Sequence, residues 1–224
     1  MAAGGGSLVD VVVLAGGRSS RFGADKVALL LDSVLAAMPP DARVVCVGPM
    51  RPTVRAAVTW VQERPPMAGP LAAVAAGLAA GRAPVVILAG ADMPRVGLAV
   101  PALLAALDPE PVDPGPADPG QVDPEPSGGG GHRAADAAVL VDSDGRAQVL
   151  ASAWRRDRLT ARLAELAQPF ADLGDPSTRE AAPLAAPGTL RGLALRLLLE
   201  RTALVTVADV WGAARDVDTP ADLD

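Results

Sequence analysis

One lysine stands among twenty lysine and arginine side chains in this 224-residue chain. It is Lys26, and it ends the stretch Leu14-Ala15-Gly16-Gly17-Arg18-Ser19-Ser20-Arg21-Phe22-Gly23-Ala24-Asp25-Lys26. Glycines let the backbone turn its N–H groups inward around an anion. A helix starting just after them adds its N-terminal dipole at the same place. Arg18, Arg21 and Lys26 supply positive charge, so the segment suits a polyphosphate. A compact ammonium and a planar guanidinium are not interchangeable beside a crowded phosphate, which gives the lone lysine a chemical reading. The plain alternatives are a chance position for one lysine among many arginines and a simple tight turn. The loop is not a Walker A motif, because Gly-Lys-Ser/Thr is missing. It is not a dinucleotide fingerprint either, because it has no Gly-x-Gly-x-x-Gly.

Carboxylates come next. Asp92 follows the apolar run 84–91 and precedes Met93-Pro94. Asp216 and Asp218 flank Val217 near the end of the sequence. A carboxylate beside a polyphosphate is repulsive unless a divalent cation lies between them. Mg²⁺ takes one or two carboxylates together with substrate phosphates and waters. Asp92 is therefore a candidate Mg²⁺ ligand, and either Asp216 or Asp218 a candidate second one. The competing readings are a helix cap for Asp92 and an Asx turn before Thr219-Pro220 for the pair. A single cysteine, Cys46, excludes a disulfide framework and a Cys-based zinc site. A single histidine, His132, excludes a Ser-His-Asp triad unless it serves itself.

The elements that must position these groups alternate. Strands are expected at 8–15, 43–48, 57–62 and 84–91, and helices at 26–38, 70–80 (Pro70 in the first turn) and 97–107. Alternation of this kind builds βαβ units on a parallel sheet, an α/β fold. The run 108–133 is dense in proline and glycine with acids between, and reads as a solvated, disordered acidic insert ending near His132. A hairpin is expected from 136–142, the turn Ser143-Asp144-Gly145, and 146–153. A helix at 155–168 carries Leu159, Leu163 and Leu166 on one face. A further helix is expected at 188–201 and a last strand at 203–207. The whole, residues 1–224, reads as one domain. Net charge −6 argues against a nucleic-acid partner. No apolar run approaches the ~18 residues of a membrane span. The N-terminal apolar stretch lacks a basic flank, so the cytoplasm is the expected location.

The pattern from Leu14 to Lys26 resembles the N-terminal signature of the molybdenum cofactor guanylyltransferases, which are MobA-like nucleotidyltransferases. Gly69-Pro70-Leu71-Ala72 resembles their Gly-Pro-Leu-Ala motif, and Ala91-Asp92-Met93-Pro94 their Cys/Ala-Asp-Met-Pro. Trp154-Arg155-Arg156 resembles their aromatic-Arg-Arg, and Asp216 to Leu223 their closing Asn/Asp-x-Asn/Asp-Thr-Pro-Glu-Asp-Leu. Only 108–133 falls outside the resemblance. The stretch after Lys26 is shorter than the family's, which normally has a Gly-x-Pro turn there. The resemblance implies a three-layer Rossmann-like fold with a mostly parallel central sheet. It implies Mg²⁺-dependent transfer of GMP from GTP to the terminal phosphate of molybdopterin, with other cofactor-biosynthesis or molybdoenzyme-chaperone proteins as further partners. It implies catalytic roles for Lys26, Asp92 and Arg21. Nucleotide contacts would come from Leu14, Ala15, Gly16, Gly17, Arg18, Lys26, Gly69, Pro70 and Leu71. The family's acid ahead of Gly-Pro-Leu falls on Glu63, or Arg64 takes its place. Cytidylyl relatives tend to show Leu-Ala-Ala-Gly where this chain has Leu-Ala-Gly-Gly, which favours guanine. A cytidylyltransferase acting on molybdopterin or a sugar phosphate and a non-catalytic nucleotide-binding partner in cofactor insertion are the other readings.

Overall fold

The computed structural model describes residues 7–16, 25–107, 134–168 and 190–217. Among the described residues seven strands form, most of them short apolar runs rich in valine and followed within two residues by glycine or aspartate. They are β1 (Val9–Leu14), β2 (Arg43–Val47), β3 (Val58–Val61), β4 (Val85–Gly90), β5 (Ala137–Val141), β6 (Ala147–Arg155) and β7 (Leu204–Ala208). They join in one sheet ordered β3-β2-β1-β4-β6-β5-β7. Strand β6 runs antiparallel to β4 and β5, and all other neighbours are parallel. The β5–β6 reversal is made by the expected turn. Asp142 Oδ1 accepts the N–H groups of Asp144 and Arg146, each at 2.9 Å, and Gly145 takes φ +78°.

Period-two alternation divides the sheet between two helical layers. Val11, Val13, Val44, Cys46, Ile87, Ala89 and Ala153 face α1 (Lys26–Ala36) and α3 (Val100–Leu107). Val12, Val45, Val47, Val86, Leu88 and Trp154 face α2 (Pro70–Ala80) and α4 (Arg156–Ala167). The result is the three-layer α/β arrangement with a mostly parallel sheet that the sequence implies. Burial pushes the Cys46 thiol up to about 12, so the lone cysteine is a core residue rather than a nucleophile.

The Leu-rich stretch expected as a helix over 188–201 is a correction. Residues 188 and 189 lie outside the described residues. From 190 on, the chain forms turns around one 3-10 segment, Leu195–Leu198. Gly192 and Arg201 adopt left-handed φ values of +73° and +57°, which a right-handed helix cannot contain. Arg162 of α4 donates to the Leu197 carbonyl through Nε and Nη2, at 3.2 and 2.7 Å, taking an acceptor that a helix would use internally. Leu190 and Leu198 are buried against the α2 and α4 layer, so the apolar residues are used for burial without helical geometry. The insert 108–133, with His132, lies outside the described residues. Among the described residues, no helix is long and apolar enough to cross a membrane.

Because β6 is antiparallel, Trp154-Arg155-Arg156 arrives at the edge where the parallel strands begin. There Arg156 pairs with Asp10, whose side chain is only 2 % exposed, and donates to the carbonyls of Leu78 and Ala83. Asp10 also accepts the Ala83 N–H at 2.8 Å. Arg155 donates to the carbonyls of Ala135 and Leu107, both at 3.1 Å. It thereby ties together the two chain positions that flank the insert.

Candidate active site

After β1 the chain goes to β2 on one side, and after β3 it crosses to β4 on the other. A crevice opens where the strand order reverses, at the carboxyl ends of β1 and β4. The cluster sits at that point. Ala15 N–H donates to the Val47 carbonyl at 2.9 Å, Gly48 N–H to Val61 at 2.9 Å, and Ala91 N–H to Leu14 at 3.1 Å, so the four strand ends are locked side by side. Gly48 has φ +140°, and a Cβ there would lie 2.8 Å from Gly16 N and 2.9 Å from the Ala15 carbonyl. Only glycine lets these two turns approach so closely.

Beside them lies a cavity of about 520 Å³ lined by Leu14, Gly16, Val47, Gly48, Pro49, Gln62, Glu63, Met67, Gly69, Pro70 and Ala73. The size falls within the usual ~300–1,000 Å³ range of ligand pockets. Gly69, at φ +105°, turns the chain into α2, and Pro70 opens the helix at a position where its missing N–H costs nothing. The N-terminus of α2 thus meets the cavity. Glu63 is held in the wall by its Oε1, which accepts the Met67 N–H at 2.8 Å. Arg64 instead lines an adjoining open groove with Trp60, Gln62 and Pro66. Of the two open candidates from the sequence, Glu63 is the one at this cavity. Leu14, Gly16, Gly69 and Pro70 line it as well. Ala15 and Leu71 lie beside it with fully buried side chains.

Lys26 is the first residue of α1, after Asp25 as N-cap, and its side chain is 9 % exposed. Its Nζ lies 3.1 Å from Asp92 Oδ2, so two residues 66 positions apart in sequence meet directly. Asp92 follows β4, and its carboxylate is about one-third exposed. A Cβ on Gly90 would stand 2.8 Å from Asp92 Oδ1, so a side chain there would crowd the carboxylate. Val217 N–H donates to the Asp92 carbonyl at 3.1 Å, which brings the neighbouring Asp216 to the end of β4. That C-terminal segment is shaped by Asp209, whose two carboxylate oxygens accept the N–H groups of Trp211, Ala213 and Ala214 at 2.8–3.1 Å. Gly17, Arg18, Arg21 and Asp218 lie outside the described residues.

Two residues without a role in the sequence reading stand out. Arg51, past β2, donates to Asp25 Oδ2 at 2.8 Å and holds the Asp25 carboxyl below its usual range. The other is Asp209, in the turn after β7. Asp209 is a local turn former, and an aspartate two to five residues ahead of these N–H groups could have signalled its acceptor role. Arg51 carries no sequence signal, because Ala15 and Asp25 are brought near it only by the fold.

The sequence model of the MobA-like NTP transferase domain matches residues 11–181. No curated protein matches the chain. Among solved structures, the Mycobacterium sp. strain JC1 homologue of Mycobacterium tuberculosis Rv0371c superposes with TM-score 0.53 at 21 % identity, over 97 % of this chain and 93 % of that one. Rv0371c from M. tuberculosis H37Rv gives 0.53 at 19 % identity, over 97 % and 96 %. The 2-C-methyl-D-erythritol 4-phosphate cytidylyltransferase of Thermus thermophilus gives 0.53 at 18 % identity, over 95 % and 94 %. These are likenesses of fold. With the family match spanning most of its length, this chain belongs to the MobA-like NTP transferases and is a nucleotidyltransferase.

Proposed function

We propose that the protein transfers GMP from GTP to the terminal phosphate of molybdopterin, releasing pyrophosphate. The observation that carries this reading is the Glu63-lined cavity opening beside the Lys26–Asp92 pair at the switch point. The cavity takes the nucleoside, and the cationic strand–helix junction takes the phosphates. Guanine presents two adjacent donors, N1–H and N2–H, on its Watson–Crick edge. An ionised carboxylate is an acceptor-only group with room for several such bonds beyond the one Glu63 accepts from the Met67 N–H. Cytosine offers its amino group alone on that edge, so a carboxylate in the wall favours guanine.

An oxygen of the acceptor's phosphate monoester attacks the α-phosphorus of GTP. The bond from the α-phosphorus to the α–β bridging oxygen breaks, and pyrophosphate leaves with the electron pair. The nucleophile is already anionic, so no general base is required, in keeping with one histidine in the whole chain. The protein's part is to position and to stabilise charge. Lys26 places an ammonium against the phosphates, with Arg21 and Arg18 assigned the same task. Gly16 and Gly17 offer backbone N–H groups, and Gly69, Pro70 and the start of α2 bound the ribose and base.

Among the described residues no three His, Cys, Asp or Glu side chains form a metal cage. Mg²⁺ bound with nucleotide needs only one or two protein carboxylates. Asp92 and the neighbouring Asp216 fit that requirement, with Asp218 as the alternative partner. When bound, the ion offsets the negative charge that gathers on the phosphates.

The test is pyrophosphate release from GTP, CTP and ATP with Mg²⁺ and molybdopterin as acceptor. GTP should be preferred at least ~10-fold in kcat/KM, about 1.4 kcal/mol of transition-state binding. Preference for CTP would make the enzyme a cytidylyltransferase. Nucleotide binding without pyrophosphate release would make it a non-catalytic partner.

A further inference from the structure

Arg51 occupies an unusual position for a residue outside every strand and helix. Its side chain is only 14 % exposed. Nε donates to Asp25 Oδ2 at 2.8 Å, and Nη1 donates to the carbonyls of Ala15 at 2.9 Å and Pro49 at 3.0 Å. These acceptors belong to the end of β1, the N-cap of α1 and the turn after β2. Asp25 Oδ1 in turn accepts the Ala28 N–H at 3.2 Å, so one carboxylate couples the guanidinium to the first turn of α1. Ala15 precedes Gly16, and Asp25 precedes Lys26. One guanidinium therefore sets the distance between the strand end that offers backbone N–H groups and the helix start that offers the ammonium.

The same segment is tied to α1 again further on. Val54 N–H donates to Asp32 Oδ1 at 2.9 Å. Arg55 donates to the carbonyls of Leu35, Met38, Pro39, Pro40 and Ala42, at 2.7–3.3 Å, around the C-terminal end of α1. The two arginines bind opposite ends of one helix. Arg55 satisfies terminal carbonyls, as cations commonly do there. Arg51 works at the end where Lys26 and Asp92 meet.

We propose that Arg51 is a positioning residue for the nucleotide's polyphosphate, holding Lys26 in register with the backbone at Gly16 through Asp25 and Ala15. It acts without touching the substrate. The inference rests on the nucleotide site described above. The geometry requires a fork: donors on two nitrogens of one rigid plane serve three acceptors on three segments. A lysine offers a single point of attachment and cannot span them.

The experiment is titration with GTP and Mg²⁺ by calorimetry, with melting curves for each variant. The variants are Arg51→Ala, Arg51→Lys, Asp25→Asn, the Asp25→Asn/Arg51→Ala double, Arg55→Ala and Lys26→Ala. A misplaced ammonium should weaken GTP binding at least ~10-fold in Arg51→Ala, and Arg51→Lys should recover little of it. The double variant should bind within about twofold of Arg51→Ala alone, because both changes break one connection. Arg55→Ala should lower the melting temperature at least as much as Arg51→Ala while leaving GTP affinity near wild type. That contrast separates positioning from general stability. If Arg51→Ala does not fold, Asp25→Asn with intact Arg51 carries the same comparison, and a loss of at least ~3-fold is expected from it. GTP affinity at the wild-type level in Arg51→Ala, with affinity lost in Lys26→Ala, would overturn the role of Arg51 and leave the site standing. Full affinity in Lys26→Ala would overturn the site itself, and this inference with it.

Discussion

Replacing Asp10 by alanine should cost stability and leave catalysis alone. Asp10 sits near the start of β1, paired in register with Arg43 and Val86. Its carboxylate is 2 % exposed, accepts the Ala83 N–H and pairs with Arg156. The substitution leaves a buried N–H without its acceptor, a loss of about 1–3 kcal/mol. It also leaves the Arg156 cation without its counter-charge, and breaking a buried pair from one side costs about 3–5 kcal/mol in all. Arg156 keeps the Leu78 and Ala83 carbonyls, and its side chain is 19 % exposed, so the lower end applies. About 3 kcal/mol corresponds to a melting temperature some 6–12 °C lower for a domain of this size. Asp10 lies five residues before Ala15, or roughly 16 Å along an extended strand, so kcat/KM of the folded variant should match wild type. Urea unfolding of Asp10→Ala, Arg156→Ala and the double variant measures the coupling, and the double should be well short of the sum. A loss under about 1 kcal/mol, or a tenfold fall in kcat/KM with stability unchanged, would refute the reasoning.

The remaining expectations concern the site and the insert. Lys26→Arg should bind GTP more weakly and lower kcat/KM at least ~10-fold with the fold intact, because a guanidinium is wider than the ammonium beside Asp92. Wild-type kinetics would move the phosphate-binding role to Arg18 or Arg21. Asp92→Ala should abolish Mg²⁺-dependent pyrophosphate release in a protein with an unchanged circular dichroism spectrum, and turnover at the wild-type rate would make Asp92 a structural residue. Replacing 108–133 with a short Gly-Ser linker should change stability by less than ~1 kcal/mol, because Arg155 holds the flanking carbonyls of Leu107 and Ala135. A larger loss in chemical denaturation would show that the insert contributes to the fold.

Most strands were legible because they are short runs rich in valine ended by a turn residue, as in Val9–Leu14 shortly before Gly16 or Val85–Gly90 before Asp92. Strand β6, with Val149 its one β-branched residue, was legible from the turn at 143–145 ahead of it. The helix over 188–201 misled because leucine content reports burial, while Gly192 and the bonds from Arg162 decide the backbone path. Lys26 and Asp92 were each singled out as candidates by the sequence, one from its loop and one from its strand end. Their direct contact was not, because it depends on β1 and β4 being neighbours, and strand order is a property of the assembled sheet. Arg51 was invisible for a related reason. An arginine whose partners are a carbonyl at residue 15 and a carboxylate at residue 25 leaves no periodic or spaced signal.

The strand order also divides the site by chain segment. The cavity wall comes entirely from residues 14–73, on the β1-β2-β3 side. Asp92 and Asp216 come from beyond residue 90, on the β4 side and in the segment after β7. Under the proposed function the nucleoside meets the first stretch and the metal ion the second, and the two stretches join where Lys26 meets Asp92. Under that reading, a graft of 62–69 from a relative that uses another nucleotide should change the base preference without altering either carboxylate.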